Sequence, residues 1–312
     1  MASRSSPVRC ALAIHGGAGT LTRGAMTVER ERRYREGLGA ALRAGYSVLE
    51  RGGSSLDAVI AAVVVLEDSP LFNAGRGATL NAEGQHELDA AVMDGSTLRA
   101  GGVTAVRRIR NPIIAARAVM EKTPHVLLAG RAAERFARRA GVPLAPLAYF
   151  ATRERVAALE RARAREQKRL GGRASAADVH GTVGAVALDR RGHLAAATST
   201  GGYTNKMAGR IGDSPLVGAG LYADQTCAVS ATGLGEAFIR GVVSYDVAAR
   251  MRYRGETLGR AARHALDRIV ALGAEGGLIA IDRAGRIAMP FVSEGMYRGT
   301  ARGGRYATAI YR

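Results

Sequence analysis

The stretch "HGTVGAVALD", residues 180–189, places a threonine between a glycine and an apolar run. A threonine hydroxyl is a weak nucleophile at neutral pH and needs a base within hydrogen-bonding reach. If the chain were cut between Gly181 and Thr182, the new α-amine of Thr182, with a pKa of about 8, would supply that base. Gly181 suits such a cut, since a residue without Cβ lets the preceding peptide adopt a strained geometry. The stretch therefore predicts either a self-activated nucleophile or an ordinary β-branched strand residue.

Two charged residues downstream indicate what such a nucleophile would act on. Arg210 and Asp213 stand three residues apart in "GRIGD". A guanidinium beside a carboxylate suits a substrate with a free α-carboxylate and a free α-ammonium, since each charge finds its opposite. An ion pair on the surface is the alternative interpretation. The sequence contains no G-x-S-x-G elbow, and its six histidines include no metal-spaced pair such as H-E-x-x-H.

The composition limits how these residues can be positioned. A chain of 312 residues suffices for one large domain or two modest ones. Because 47% of the residues are hydrophobic and only 5% are aromatic, the core must consist mainly of Ala, Val, Leu and Ile. The 41 glycines occur as scattered pairs without a period, which indicates tight turns and close backbone approaches and argues against a fibrous repeat.

The formal net charge of +18 permits two interpretations. A polyanion, nucleic acid above all, would bind a strongly basic surface. Alternatively, the charge reflects a general bias toward arginine, since only three of the 45 basic residues are lysines. Aromatic residues do not interleave with the arginines to form a base-stacking surface. We therefore favour the second interpretation and do not expect a nucleic-acid partner.

Cysteines and apolar runs bear on the compartment. Cys10 and Cys227 are too few for a disulfide framework, and neither belongs to a metal-spaced pair, which fits a reducing compartment. The apolar run at 10–14 is too short for the hydrophobic region of a signal peptide, and the run at 58–66 is too short to cross a bilayer. We expect a cytoplasmic protein without a membrane partner.

The hydrophobic pattern predicts strands and helices in two halves. In the first half, a buried strand runs from residue 10 into a glycine turn at Gly16, Gly17 and Gly19, and then come helices at 31–53 and 55–70, strands within 71–95 and at 101–109, a helix at 111–123, a strand at 125–130 and a helix at 131–141. In the second half, a hairpin covers 182–200, and a strand at 227–233, helices at 235–251 and 257–273, a hairpin at 277–291 and a strand at 306–311 follow. The helix at 55–70 is apolar on nearly every side and should be central. The pattern favours a layered α/β sandwich with its sheets inside and leaves the topology open.

The segment 151–181 differs in kind from the rest of the chain. Its stretch 152–181 carries eight basic and four acidic residues and ends in small, polar, glycine-bearing sequence. The first part is compatible with a solvated helix, and the last part with a flexible basic linker.

Several stretches in fixed order resemble the plant-type L-asparaginase and isoaspartyl peptidase family, whose members are N-terminal-nucleophile hydrolases. They are "HGGAG", "LEDSPLFNAGRGA", "HELDAAVMDG", "TPHVLLAG", "GTVGAV", "ATSTGGYTNKMAGRIGDSP", "SATGLGE" and "SEGMYRG". The resemblance covers most of the chain outside 151–181. It implies one domain over 1–312 with a four-layer αββα sandwich, cut by autoproteolysis between Gly181 and Thr182 into subunits 1–181 and 182–312. Two cleaved protomers are expected to associate.

The resemblance also assigns roles to single residues. Thr182 would be the nucleophile, and Thr200 would hydrogen-bond to it and tune it. Thr232 and Gly233 would donate to the developing oxyanion. Arg210 and Asp213 would bind the α-groups of the substrate, and Thr232, Gly233 and Gly235 would be further substrate-binding residues. L-Asparagine and β-aspartyl dipeptides should therefore fit, and L-aspartate should be released.

No organic cofactor is expected, but a structural sodium ion is. "LEDSPLFNAGRG" resembles the family's sodium loop, whose ligands by position would be the backbone carbonyls of Leu66, Glu67, Ser69, Phe72, Ala74 and Arg76. A plain Pro-Gly turn is the alternative. Two other functions stay open at this stage: a hydrolase of glycosylated asparagine (GlcNAc-Asn), and a polyanion-binding protein that owes its affinity to the charge.

Overall fold

Short apolar runs separated by glycine-bearing turns form two β-sheets in the computed structural model, which describes residues 10–19, 22–168 and 181–312. The strands are β1 (Ala11–Gly19), β2 (Leu88–Asp94), β3 (Ala100–Val106), β4 (Leu127–Ala129), β5 (Val183–Leu188), β6 (Leu194–Thr200), β7 (Leu221–Ala223), β8 (Cys227–Gly233), β9 (Gly276–Asp282), β10 (Ile287–Ala288), β11 (Gly295–Arg302) and β12 (Arg305–Tyr311). The larger sheet has the order β12-β11-β1-β5-β6-β2-β3-β4, and the smaller sheet has the order β10-β9-β8-β7. Neighbouring strands are antiparallel except β3 and β4.

The helices cover the outer faces of both sheets. They are α1 (Val28–Glu50), α2 (Ser55–Asp68), α3 (Pro112–Lys122), α4 (Gly130–Arg139), α5 (Arg153–Lys168), α6 (Gly235–Gly241), α7 (Val243–Arg254) and α8 (Leu258–Ala271). Helices α1 to α3 pack on the larger sheet, whereas α7 and α8 pack on the smaller one. A third apolar cluster, which includes Val186, Leu221 and Ile279, fills the space between the sheets. The four layers confirm the expected αββα sandwich.

Helix α2 supports the centre of the larger sheet. The Ser54 hydroxyl caps its first turn by accepting a hydrogen bond from Asp57 N at 3.1 Å. The helix then packs against α1 on one side and against β5 and β6 on the other, which confirms the central position expected for it. Strand β5 begins directly after Thr182, and β6 ends at Thr200. Helix α2 therefore supports the strands that position the predicted nucleophile and its neighbour.

Two local predictions differ from the structure. The glycine turn expected at Gly16, Gly17 and Gly19 is part of β1, because pairing with β11 continues beyond a bulge between His15 and Gly17. Gly17 accommodates this irregularity with φ of +111°. The helix expected at 235–251 divides into α6 and α7 at Val242, whose φ of 47° interrupts the helical backbone.

The segment 151–181 begins as a packed helix. Helix α5 buries Arg155, Ala158 and Leu159, so one of its faces is not solvated as expected. The Arg155 guanidinium donates from Nε to Gly77 O at 2.6 Å, which ties α5 to the loop after α2. Residues 169–180, where a flexible linker was predicted, lie outside the described part of the chain. Among the helices of the described ranges, none has the length and apolarity needed to cross a membrane.

Candidate active site

Thr182 lies at the head of β5, the strand between β1 and β6 in the larger sheet. Its side chain is buried, and its Oγ1 donates a hydrogen bond to Thr200 Oγ1 at 3.1 Å. A second hydroxyl, Ser214 Oγ, lies 3.2 Å from Thr182 Oγ1. The contact with Thr200 follows from strand register, since Val183 pairs with Ser199 and the next pair along is therefore Thr182 with Thr200. The hydroxyl expected to react is thus held between two others.

Thr200 is itself oriented by the turn that follows β6. Its Oγ1 accepts a hydrogen bond from Gly202 N at 3.0 Å, and Gly202 has a φ of +81°, which favours glycine. The hydroxyl therefore accepts from both Gly202 and Thr182. Ser214 was not identified from the sequence, because its only signal was its position next to Asp213.

Thr232 and Gly233 form the end of β8 in the smaller sheet. Thr232 Oγ1 accepts a hydrogen bond from Ala18 N of β1 at 3.3 Å, so the two sheets are joined at this point. Accepting this bond leaves the Thr232 hydroxyl hydrogen available for a substrate oxygen. Gly233 lines the same cleft as Thr182 and Thr200, and Thr232 directly precedes it in the chain.

Arg210 has a partner that the sequence did not reveal. Its Nε and Nη2 donate to the Glu236 carboxylate at 2.9 and 2.8 Å, which is a bidentate pair along one edge of the guanidinium. The ring of Tyr203 lies under the guanidinium with its centroid 4.6 Å from Cζ. The surface Arg210–Asp213 ion pair considered from the sequence is not formed. Glu236 occupies the Nε–Nη2 edge of the guanidinium, and Tyr203 covers one of its faces. The outer Nη1–Nη2 edge of Arg210 is therefore available to a ligand.

Asp213 is a buried carboxyl group with an unused oxygen. Only 3% of the residue is exposed, and its Oδ2 has no hydrogen-bond partner among the described residues. Burial raises the pKa of Asp213 to about 7, although the charge of Arg210 opposes this shift. A Cβ on Gly235 would lie 2.7 Å from Arg210 Nη2 and 3.0 Å from Asp213 Oδ1, so a larger residue there would disturb both groups. Arg210 and Asp213 therefore present opposite charges to one cleft.

Comparisons with known proteins identify the family of this chain. Residues 8–310 match a family model described as asparaginase. The chain is 50% identical over 310 residues to proteins named isoaspartyl peptidase from Salmonella typhimurium and Escherichia coli, with 97% of this chain and 99% and 97% of those proteins covered. It is 43% identical over 311 residues to a mouse protein named isoaspartyl peptidase/L-asparaginase, with 98% of this chain and 92% of that protein covered.

The chain belongs to the asparaginase family. In this asparaginase-family protein the predicted cleavage site is in contact with β1. A Cβ on Gly181 would overlap Gly17 Cα and Ala18 N, so the two glycines pack backbone against backbone. Because Ala18 also donates to Thr232 Oγ1, the end of β1 touches both the predicted scissile residue and one predicted oxyanion donor.

The loop after α2 is tightly wound. A Cβ on Gly75 would overlap Glu67 O, and a Cβ on Gly77 would overlap Phe72 O and lie 2.8 Å from Pro70 O. Backbone carbonyls thus converge where the glycines leave space. In this asparaginase-family protein the loop also holds the turn after Thr200, because Asn73 Nδ2 donates to Gly202 O at 2.5 Å and Thr79 Oγ1 donates to Gly201 O at 3.1 Å.

Glu67, at the end of α2, is buried beside this loop. Its Oε1 accepts hydrogen bonds from Ser199 Oγ at 2.7 Å and from Ile113 N at 3.0 Å. Burial raises the pKa of Glu67 to about 8, and the hydrogen bonds from Ser199 and Ile113 oppose this shift. The contact with Ser199 reaches the residue directly before Thr200, so the end of α2 is also connected to the strand that carries Thr200.

Proposed function

We propose that this chain is a self-cleaving amidohydrolase with Thr182 as its N-terminal nucleophile. It hydrolyses the side-chain amide of L-asparagine and the isopeptide bond of β-aspartyl dipeptides, and it releases L-aspartate. The observation that carries the proposal is the 3.1 Å contact between Thr182 Oγ1 and Thr200 Oγ1 at one end of a cleft that also contains Arg210 and Asp213. The names of its relatives, isoaspartyl peptidase and isoaspartyl peptidase/L-asparaginase, support the same substrates.

Maturation begins with an attack within the chain. Thr182 Oγ1 adds to the Gly181 carbonyl carbon, and the Thr182 nitrogen leaves and takes a proton, so that the peptide becomes an ester. Water then hydrolyses the ester and restores the Thr182 hydroxyl beside a free α-amine. The contact of Gly181 with Gly17 supports this step, because it holds the predicted scissile residue against a strand.

Catalysis then follows the same chemistry on a substrate. The α-amine of Thr182 takes the hydroxyl proton as Oγ1 attacks the side-chain carbonyl of the substrate. Thr232 and Gly233 donate to the oxyanion, and donors of this type contribute roughly 3 kcal/mol each. The tetrahedral intermediate expels ammonia or an amino acid, which receives the proton. Water hydrolyses the resulting β-aspartyl ester and releases L-aspartate.

The charges of the cleft select the α-groups of the substrate. The free edge of Arg210 donates two hydrogen bonds to the α-carboxylate, and the unused Oδ2 of Asp213 accepts a hydrogen bond from the α-ammonium. A peptide linked through its α-carboxylate lacks the first of these groups. The cleft therefore favours aspartate joined through its side chain over an ordinary aspartyl peptide.

We propose that a sodium ion binds at the loop after α2, with the carbonyls of Leu66, Glu67, Ser69, Phe72, Ala74 and Arg76 as its ligands. The convergence of carbonyls around Gly75 and Gly77 supports this assignment. The bound ion would stabilise the turn after Thr200 through Asn73 and Thr79. Replacing sodium chloride by choline chloride at equal ionic strength should lower the melting temperature, and an unchanged melting temperature would argue for a plain turn.

Association and compartment are proposed on the same basis. Two cleaved protomers are expected to form one particle, and light scattering should give twice the mass of a single chain. The cytoplasm is the proposed compartment, because Cys10 and Cys227 are both free and buried.

Intact mass and substrate assays test the proposed function directly. Purified protein should give two fragments, 1–181 and 182–312, and Thr182→Ala should stay intact and inactive. Thr300→Ala, which alters a strand threonine outside the cleft, is the matched control and should mature normally. β-Asp-Leu and L-asparagine should be hydrolysed faster than GlcNAc-Asn; the reverse order would favour the glycosylated substrate. Active protein that remains uncut would disprove the mechanism.

A further inference from the structure

A second row of residues lies two positions along the strands from Thr182, Thr200 and Thr232. Gly184 of β5 pairs in register with His15 of β1 and with Thr198 of β6. The Ser230 hydroxyl of β8 enters this row from the smaller sheet, 2.8 Å from His15 Nε2 and 2.8 Å from Thr198 Oγ1. We call His15, Gly184, Thr198 and Ser230 the lower row.

Glycine at position 184 makes the lower row possible. A Cβ there would overlap both the Ser230 hydroxyl and His15 Nε2. Even an alanine at position 184 would displace these groups. Because glycine has no side chain, it leaves the space in which side chains from β1, β6 and β8 meet. The polar groups of the row are fully buried, with His15, Thr198 and Ser230 each 0% exposed.

Three members of the lower row stand two residues from Thr182, Thr200 or Thr232. Gly184 follows Thr182, Thr198 precedes Thr200 and Ser230 precedes Thr232 by that interval, whereas a bulge separates His15 from Gly17. Side chains two residues apart on a strand point to the same face. The lower row therefore underlies the nucleophile, its neighbouring threonine and the oxyanion threonine on the same strands.

The hydrogen bonds of the lower row run in one direction. A carbonyl can only accept, so Thr198 Oγ1 donates to Gly220 O at 3.3 Å. Ser230 then donates to Thr198 and accepts from the N–H at His15 Nε2. Burial lowers the pKa of His15 to about 3, against the smaller opposing effect of a hydrogen bond with the Thr182 backbone, so the ring is neutral and carries one N–H.

We infer that His15, Ser230 and Thr198 are positioning residues, whose hydrogen-bonded chain sets the spacing of β1, β8 and β6 and thereby the placement of Thr232 and Thr200 around Thr182. None of these three side chains lines the cleft. Their effect is on geometry, and small displacements of reacting groups reduce rates steeply. The inference rests on the proposed function, because a rate of hydrolysis is needed to detect it.

A pair of substitutions at Thr198 separates the hydroxyl from the shape of the side chain. Thr198→Val keeps the shape and removes the hydroxyl, whereas Thr198→Ser keeps the hydroxyl and removes a methyl group. With β-Asp-Leu as substrate and rates divided by the amount of cleaved chain, Thr198→Val should lower kcat by roughly 10- to 100-fold with little change in KM. Thr198→Ser should retain kcat within about threefold of the wild type.

A matched control separates positioning from stability. Ser244, in α7, is also 0% exposed and donates to Ala219 O at 2.7 Å. Ser244→Ala and Ser230→Ala each remove one buried, bonded hydroxyl, so both should lower the melting temperature. Only Ser230→Ala should lower kcat. If Thr198→Val does not fold, the Ser230→Ala variant still tests the inference.

Three outcomes overturn the inference. They are wild-type kcat in Thr198→Val or Ser230→Ala, an equal loss in Thr198→Val and Thr198→Ser, and an equal loss in Ser230→Ala and Ser244→Ala. Failure of the proposed function has a different signature, because the wild-type protein itself would then remain uncut or would not release aspartate from β-Asp-Leu.

Discussion

Gly17 and Gly181 are in direct backbone contact: a Cβ on Gly17 would lie 2.6 Å from Gly181 Cα and 2.7 Å from Gly181 O. The two residues are far apart in sequence, and Gly17 lies at the bulge in β1. Gly17 also has a φ of +111°, which other residues rarely adopt. Position 17 therefore requires glycine for two separate reasons, the close contact with Gly181 and the positive φ.

Gly17→Ala should slow self-cleavage roughly tenfold or more, because the new methyl group displaces Gly181 from the position in which Thr182 attacks. Intact mass during incubation after purification would measure the rate. Gly52→Ala is the matched control, since Gly52 has a φ of +82° but open space around its Cα. If both variants mature at the wild-type rate, the contact has no part in cleavage.

Thr200→Val should lower kcat about 100-fold in cleaved protein, because it removes the hydroxyl that accepts from Thr182 Oγ1 while keeping the side-chain shape. KM should change little, since the α-groups of the substrate bind elsewhere. Thr200→Ser should recover most of the rate. Equal activity in the valine and serine variants would show that the hydroxyl does not tune the nucleophile.

Asp213 should make substrate binding depend on pH. Its pKa is raised to about 7, so the carboxyl is neutral below that pH and charged above it. Only the charged form attracts an α-ammonium, so KM for β-Asp-Leu should fall as the pH rises through about 7. Asp213→Asn should show a higher KM without this inflection. An unchanged inflection in Asp213→Asn would assign it to another group.

The raised pKa of Asp213 also predicts that the folded protein becomes less stable as the pH rises, although substrate binding becomes stronger. Because the pKa of Asp213 is higher in the folded protein than its ordinary value of 3.8, burial of the charged form destabilises the fold progressively as the pH rises from about 4 through 7. Asp213→Asn should therefore raise the melting temperature more at pH 8 than at pH 4. An equal change at both values would mean that Asp213 does not titrate in this range.

Glu236→Gln should raise KM about two- to tenfold, because it weakens the bidentate pair that orients Arg210 and the side chain is partly exposed. The value of kcat should change less, since Glu236 does not approach Thr182 Oγ1. Glu154→Gln provides the control, as Glu154 forms an exposed pair with Arg30 at 3.0 Å. A loss confined to kcat would contradict an orienting role.

Local patterns in the sequence predicted most of the elements that carry the site. The hairpin from 182 to 200 is formed with Leu188 opposite Leu194, as its four-residue "RRGH" connection indicated. The strand at 227–233 has the predicted bounds. These predictions succeed because side-chain alternation and turn residues are encoded within a few neighbouring positions. The family's order of motifs then pointed to Thr182, Thr200, Arg210 and Asp213.

The sequence by itself therefore determined the type of each main element, the apolar layers and the residues with reactive groups. Only the tertiary structure decided which of them meet: Ser214 beside Thr182, Glu236 on Arg210, and His15 with Ser230 across 215 positions of the chain. The physical reason is that local periodicity sets which face of a strand is buried, whereas partners across two sheets depend on strand order, register and the space left by residues such as Gly184.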